Sequence, residues 1–151
     1  KVQAAILSYG SFDIYKASLE GFETFKNPFW FLSRSKARGI FGNQYNSEKH
    51  ANMYKALSPI YNIPKRENRI LPPQLFIVGS KDNLTTPTSV KQYIKKLRSL
   101  NHKTEYWEYE GKNHAFLDSG SNFFLGSNFE EDAPQAIDMM IEFLDRVFEE
   151  E

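Results

Sequence analysis

Two short apolar runs constrain this chain more than any other feature. Residues 2–12, "VQAAILSYGSF", and 74–80, "QLFIVGS", are almost continuously hydrophobic, with Gly10 and Gly79 at or near their ends. An apolar run without alternation reads as a strand covered on both faces, the signature of a parallel sheet. A third run, "KTEYWEYEG" over 103–111, alternates and is rich in aromatics, so it is expected as a strand nearer the sheet edge. Between the second and third runs, "TPTSVKQYIKKLRSLN" has helical spacing. Thr86 is its expected N-cap and Pro87 suits its first turn, with Val90, Tyr93, Ile94, Leu97 and Leu100 on one face. "DAPQAIDMMIEFLDRVF" is a second amphipathic helix, with Ala136, Ile137, Met140, Ile141, Leu144, Val147 and Phe148 as its apolar face. The acidic residues of "FEEDAP" read as a solvated N-terminus that suits the helix dipole. Strands separated by helices in this way predict βαβ units and an α/β fold.

Residues 14–60 are mixed, and helices and loops are expected there. The cluster Phe29-Trp30-Phe31 reads either as the core of a cap or as the lining of an acyl or aryl pocket. A length of 151 residues suits about one domain. Nineteen basic residues balance nineteen acidic ones, which argues against nucleic acid or anionic lipid as a partner. The chain has no cysteine, so disulfides, zinc-thiolate sites and a cysteine nucleophile are excluded, while the compartment stays open. No apolar run approaches the roughly 18 residues that a membrane span needs.

In open parallel sheets, functional residues sit in loops beyond the carboxyl ends of the strands. Two such loops are expected here: "GSKDNLTTP" carries Asp82, and "EGKNHAFLD" carries His114. Alone, a histidine in a polar turn could be a general base, a metal ligand or a surface residue. One crossover joins the two strands, so the loops can lie side by side. A carboxylate there can accept from one imidazole nitrogen and fix the tautomer while the other nitrogen acts as a base. Asp82 has a plainer alternative, capping a local N–H in its own turn. Asp118 is a rival orienter, ranked below Asp82 because it shares the loop of His114. Phe116, just after the histidine, is expected to wall the site and contact substrate. His50 and His102 stand in polar contexts and read as surface residues. No histidine–carboxylate spacing suggests a metal site, and no cofactor is expected.

The stretch "PPQLFIVGSKDNLTTPTSVKQYIKKLRSLNHKTEYWEYEGKNHAF" resembles the C-terminal part of α/β-hydrolase-fold serine esterases. It is nearest the bacterial esterase/lipase-like group that includes feruloyl and acetyl-xylan esterase-like proteins. The shared pattern is a hydrophobic strand, Gly-x-x-Asp, a proline opening a helix, a strand, and Gly-x-x-His-x-Phe. "VQAAILSYGSFDI" is similar to the strand after the nucleophile helix, "LSPIYNI" to the Ser-Pro loop, and "NFEEDAPQAIDMMIEFLDRVF" to the closing helix. The resemblance implies a partial α/β-hydrolase fold spanning residues 1–151, the C-terminal half of one domain, with a variable cap over about 14–60. It also implies Asp82 as triad acid and His114 as triad base, in the Ser, Asp, His order of the superfamily. No Gly-x-Ser-x-Gly occurs, and Ser8, Ser11, Ser80 and Ser127 lack the flanking glycines. Nucleophile and oxyanion hole are therefore expected upstream of Lys1, in a missing N-terminal half. The chain alone is expected to be inactive toward its small-molecule ester substrate, and to self-associate through an exposed sheet edge. Two alternatives stay open: a prolyl-oligopeptidase-type serine peptidase, and a degenerate hydrolase serving as a binding module.

Overall fold

The computed structural model describes residues 2–24, 26–27, 30, 36–118, 120–122 and 127–149. They divide into two compact units, one formed by Lys1–Ser11 with Pro64–Glu151, the other by Phe12–Ile63.

The first unit is built on three parallel strands in the order β1 (Ala5–Ser8), β2 (Gln74–Gly79), β3 (Thr104–Tyr109). Ala5 pairs with Gln74 and Gln74 with Thr104, so all three carboxyl ends emerge on one side. The central strand β2 is buried at every position. Its alternating side chains serve two faces. Phe76 stacks edge-on with Tyr93 of the helix α3 (Pro87–Ser99), their centroids 5.8 Å apart. Leu75 and Ile77 instead pack with Phe116 and with Phe143 of the helix α4 (Phe129–Glu149). The sheet is thus covered on both faces, as its continuous apolar central strand requires.

β1 departs from the expectation of a buried strand: all four of its residues are only half-buried. It lies at the end of the strand order, and burial on both faces does not remove the exposure of an edge. β3 is the other edge, and its mixed sequence follows from that. Glu108 takes Lys91 of α3 at 2.7 Å, and Glu105 takes Arg146 of α4 at 2.7 Å, while Trp107 and Tyr109 pack on the core. Four further residues form a short antiparallel pair, β4 (Ser121–Asn122) and β5 (Ser127–Asn128). Among the described residues no helix is long and apolar enough to cross a membrane.

Helix α3 begins as the sequence suggests, with the Thr86 side chain accepting from the Ser89 amide and Pro87 in the first turn. Its end corrects the reading of His102 as a surface residue. Asn101 has φ 63°, its amide bonds Arg98 O at 3.0 Å, and the His102 amide bonds Leu97 O at 3.1 Å. That pattern is a Schellman closure, which turns the following residue back onto the helix. His102 is accordingly buried, with Nε2 2.7 Å from the Pro64 carbonyl.

Helix α4 starts three residues earlier than expected and faces inward along a different stripe. Ala133, Ala136 and Phe143 are buried, with Met140, Leu144 and Val147 beside them. Ile137, Ile141 and Phe148, expected inside, are 46%, 49% and 51% exposed. Asp132 is not part of a solvated N-terminus either. It is buried, receives Lys112 Nζ at 2.8 Å, and accepts from the Asn128 amide at 3.1 Å.

The second unit contains α1 (Ile14–Leu19), α2 (Ala51–Leu57) and a 3-10 turn, Pro59–Tyr61. The expected insert of 14–60 lies within it. Its centre is polar: Glu23 accepts from Tyr54 Oη at 2.8 Å, from Ser18 Oγ at 2.5 Å and from the Ile40 amide. Burial, with the bond to Glu23 and its charge, pushes the Tyr54 phenol up to about 12. Trp30 donates from its indole to the Phe22 carbonyl at 2.8 Å, whereas Phe29 and Phe31 lie outside the described residues. His50 stands at the N-cap of α2, half-buried, its Nδ1 3.3 Å from the Asn46 amide.

Candidate active site

The loops that follow β2 and β3 are stitched together immediately beyond the sheet. The Ser80 amide bonds Tyr109 O at 2.9 Å, the Gly111 amide bonds Ser80 Oγ at 2.8 Å, and the Lys81 amide bonds Lys112 O at 2.9 Å. Gly79 allows this approach: a Cβ there would lie 2.3 Å from Lys112 O and 2.8 Å from Asn113 O. The second loop is also tied to α4 through Lys112 and Asp132. These contacts bring Asp82 and His114 to one place.

Asp82 is 2% exposed, yet both its oxygens are occupied. Oδ1 accepts from the Leu84 and Thr85 amides, each at 2.8 Å. Oδ2 faces His114 Nδ1 at 2.8 Å and Thr85 Oγ1 at 2.8 Å. The two sequence readings of Asp82 therefore coexist, one per oxygen: it caps its own turn and it holds the imidazole. Burial pushes the carboxyl upward, but the bonds from His114 and from the Thr85 amide and hydroxyl outweigh it and hold Asp82 below its ordinary value. An ionised carboxylate only accepts, so Nδ1 of His114 carries the proton. The imidazole is partly exposed, and among the described residues Nε2 has no hydrogen-bond partner. A ring held in this tautomer presents a basic nitrogen.

Tyr9, directly after β1, was not singled out from sequence. It has φ 39°, an uncommon conformation for a residue other than glycine. Its ring meets His114 edge-on at 5.2 Å between centroids, and its hydroxyl donates to Asp118 Oδ1 at 3.2 Å. Burial, then the Asp118 charge and the hydrogen bond to it, push the Tyr9 phenol up to about 12. Asp118 thus engages Tyr9, and it is Asp82 that engages His114. Ala115, next to the histidine, also has a positive φ, 59°, so non-glycine residues in a strained conformation flank the imidazole from two strands.

Phe116 corrects the expectation of a substrate contact. It is fully buried, with Tyr109 at 4.9 Å and Tyr9 at 6.0 Å between centroids, and belongs to the core beneath the histidine. The turn at Ala115 reverses the chain, so the next side chain points inward. Thr85 was also missed, and its signal is a hydroxyl three residues after an Asp at a strand end. Among the described residues no group of three or more His, Asp or Glu side chains converges as a metal site.

Parallel strands covered by helices on both faces, with an aspartate and a histidine meeting beyond their carboxyl ends, define a partial α/β-hydrolase fold. The chain belongs to the prolyl oligopeptidase family, whose model matches residues 9–151. Solved structures share the fold. Apo esterase 2 of Thermogutta terrifontis superimposes with a TM-score of 0.57 at 20% identity, over 97% of this chain and 43% of that one. A puromycin-hydrolyzing peptidase of Mycobacterium tuberculosis gives 0.54 at 19% identity, over 75% of this chain and 15% of that one. A truncated carbohydrate esterase from gut microbiota gives 0.51 at 16% identity, over 75% and 35%. No curated protein matches significantly. The chain spans under half the length of each of these structures. The resemblance to hydrolases of this fold stands, and the family is the one weighed second from sequence, with both esterases and peptidases among its structural neighbours.

Proposed function

We propose that this chain supplies the acid and base of a serine hydrolase acting on carboxylic esters. The observation that supports it is the pairing of a buried, ionised Asp82 with Nδ1 of His114, which leaves Nε2 as a base. Among the described residues no serine hydroxyl bonds His114, and the sequence carries no Gly-x-Ser-x-Gly, which supports assigning the nucleophile to a segment outside these 151 residues. In the reaction, Nε2 takes the proton of that serine as its oxygen attacks the ester carbonyl. Backbone N–H groups, also outside this chain, stabilise the oxyanion. The imidazolium then protonates the departing alcohol, and His114 deprotonates the water that releases the acid. Asp82 stabilises the imidazolium at each stage.

A peptide substrate is the second reading, favoured by the family match. In the complete protein we expect labelling by a fluorophosphonate probe on either reading. Turnover of p-nitrophenyl esters without turnover of peptide p-nitroanilides is the expected outcome for the ester reading, and turnover of both would favour the peptidase. His114→Ala should lower turnover by about six orders of magnitude. Absence of labelling would point to a degenerate hydrolase instead. The 151-residue chain alone should not hydrolyse p-nitrophenyl acetate. Turnover by it that His114→Ala abolishes would overturn the assignment of the nucleophile elsewhere.

A further inference from the structure

Thr85 is the point at which three strand ends meet. It is buried, and its single hydroxyl oxygen lies 2.8 Å from Asp82 Oδ2, 3.1 Å from His114 Nδ1 and 3.0 Å from the carbonyl of Tyr9. Its amide already caps Asp82 Oδ1, so closure of the turn does not need the hydroxyl. A hydroxyl has one proton, and two of these partners, Asp82 Oδ2 and Tyr9 O, can only accept. The charged acceptor forms the stronger bond, so the hydroxyl donates to Asp82 Oδ2 while the carboxylate is ionised. The lone pairs of Oγ1 then face Nδ1–H. The carbonyl of Tyr9 is the alternative acceptor, on a residue already held at positive φ with its ring against the imidazole.

We propose that Thr85 is a positioning residue of the Asp82–His114 pair: its hydroxyl donates to the carboxylate oxygen that faces the imidazole and holds that oxygen in place. Without it, Oδ2 keeps one hydrogen bond instead of two, and the carboxylate can rotate about its Oδ1 contacts. The inference rests on the hydrolase reading for its catalytic meaning, but the arrangement itself can be tested without hydrolysis.

The test compares Thr85→Val, which keeps the shape and removes the hydroxyl, with Thr85→Ser, which keeps the hydroxyl and removes the methyl. In the 151-residue chain, NMR would follow the Asp82 carboxyl carbon through acid titration and the His114 Nδ1 proton. Thr85→Val should raise the Asp82 midpoint by about one pH unit, the value of a hydrogen bond to a charged group. It should also speed exchange of the Nδ1 proton, and Thr85→Ser should restore both. In the complete enzyme Thr85→Val should lower kcat about tenfold with KM unchanged. A valine variant with the wild-type Asp82 midpoint and Nδ1 signal would overturn the proposal. So would a serine variant that behaves like valine, because the methyl group would then be what matters. Should valine not fold, Thr85→Ala provides the same comparison against serine. The NMR readouts decide the role of Thr85 even if fluorophosphonate labelling fails, so the two ideas stand or fall separately.

Discussion

Asp82 shows how one side chain serves local structure and a site together. With one oxygen capping two amides and the other holding His114, its carboxylate form is favoured in the folded state despite burial. A carboxyl whose folded value lies below its unfolded value of about 3.9 adds stability above that value, and the contribution disappears as pH falls through the folded value. Urea unfolding between pH 6 and pH 2 should therefore show a stability gap between wild type and Asp82→Asn that narrows below about pH 4. A gap that stays constant across that range would contradict the assignment. Asp82 and His114 were legible because strand-end loops draw polar residues outside the periodic pattern. Thr85 and Tyr9 were not, because their roles depend on where the first strand ends in space. Nothing in "SYGSF" announces that a tyrosine carbonyl will stop at hydrogen-bond distance from a threonine in another loop.

At the scale of elements, α4 shows what periodicity can and cannot decide. Its sequence carries two apolar stripes about 100° apart, one through Ala136, Met140, Phe143 and Val147, the other through Ile137, Ile141 and Phe148. Hydrophobicity alone favours the second, since isoleucine outweighs alanine. Packing favours the first, because Ala133 and Ala136 are buried and Phe143 packs with Leu75 and Ile77 of β2. The ion pair of Asp132 with Lys112 pins the helix in that rotation, and no periodic pattern contains it. Phe143→Ala should therefore destabilise the chain by about 3–5 kcal/mol, as loss of a buried aromatic does. Ile137→Ala should change stability by about 0.5 kcal/mol or less, as at exposed positions. Thermal and urea denaturation of the two variants would check this, and equal losses would show that the helix faces otherwise. The two long helices and the three parallel strands were readable; the rotation of α4 was settled by packing.

For the molecule as a whole, the exposed surface of the first unit carries its own consequence. β1 pairs with β2 on one side, and among the described residues no strand pairs with its other edge. An unpaired edge offers a row of backbone donors and acceptors to any strand that can reach it. Ile137, Ile141 and Phe148 of α4 add an apolar stripe, and Val2 and Ile70 are 66% and 69% exposed. The formal net charge is zero at pH 7, so no long-range repulsion holds copies apart. We expect the 151-residue chain to self-associate, with a light-scattering mass that rises with concentration above the 17.6 kDa of one copy. Pairing through the β1 edge and burial of the helix stripe are separable contributions. Ile137→Glu with Ile141→Glu should weaken association without unfolding the chain, because these side chains lie outside the core. A proline at Leu7 should weaken it through the edge, although that strand also pairs inward with Phe76 and would lose stability. The glutamate pair is thus the cleaner arm. A mass that stays at one copy across the concentration range would mean that the edge and the stripe are not adhesive. Association undiminished by the glutamates would assign it to the strand edge.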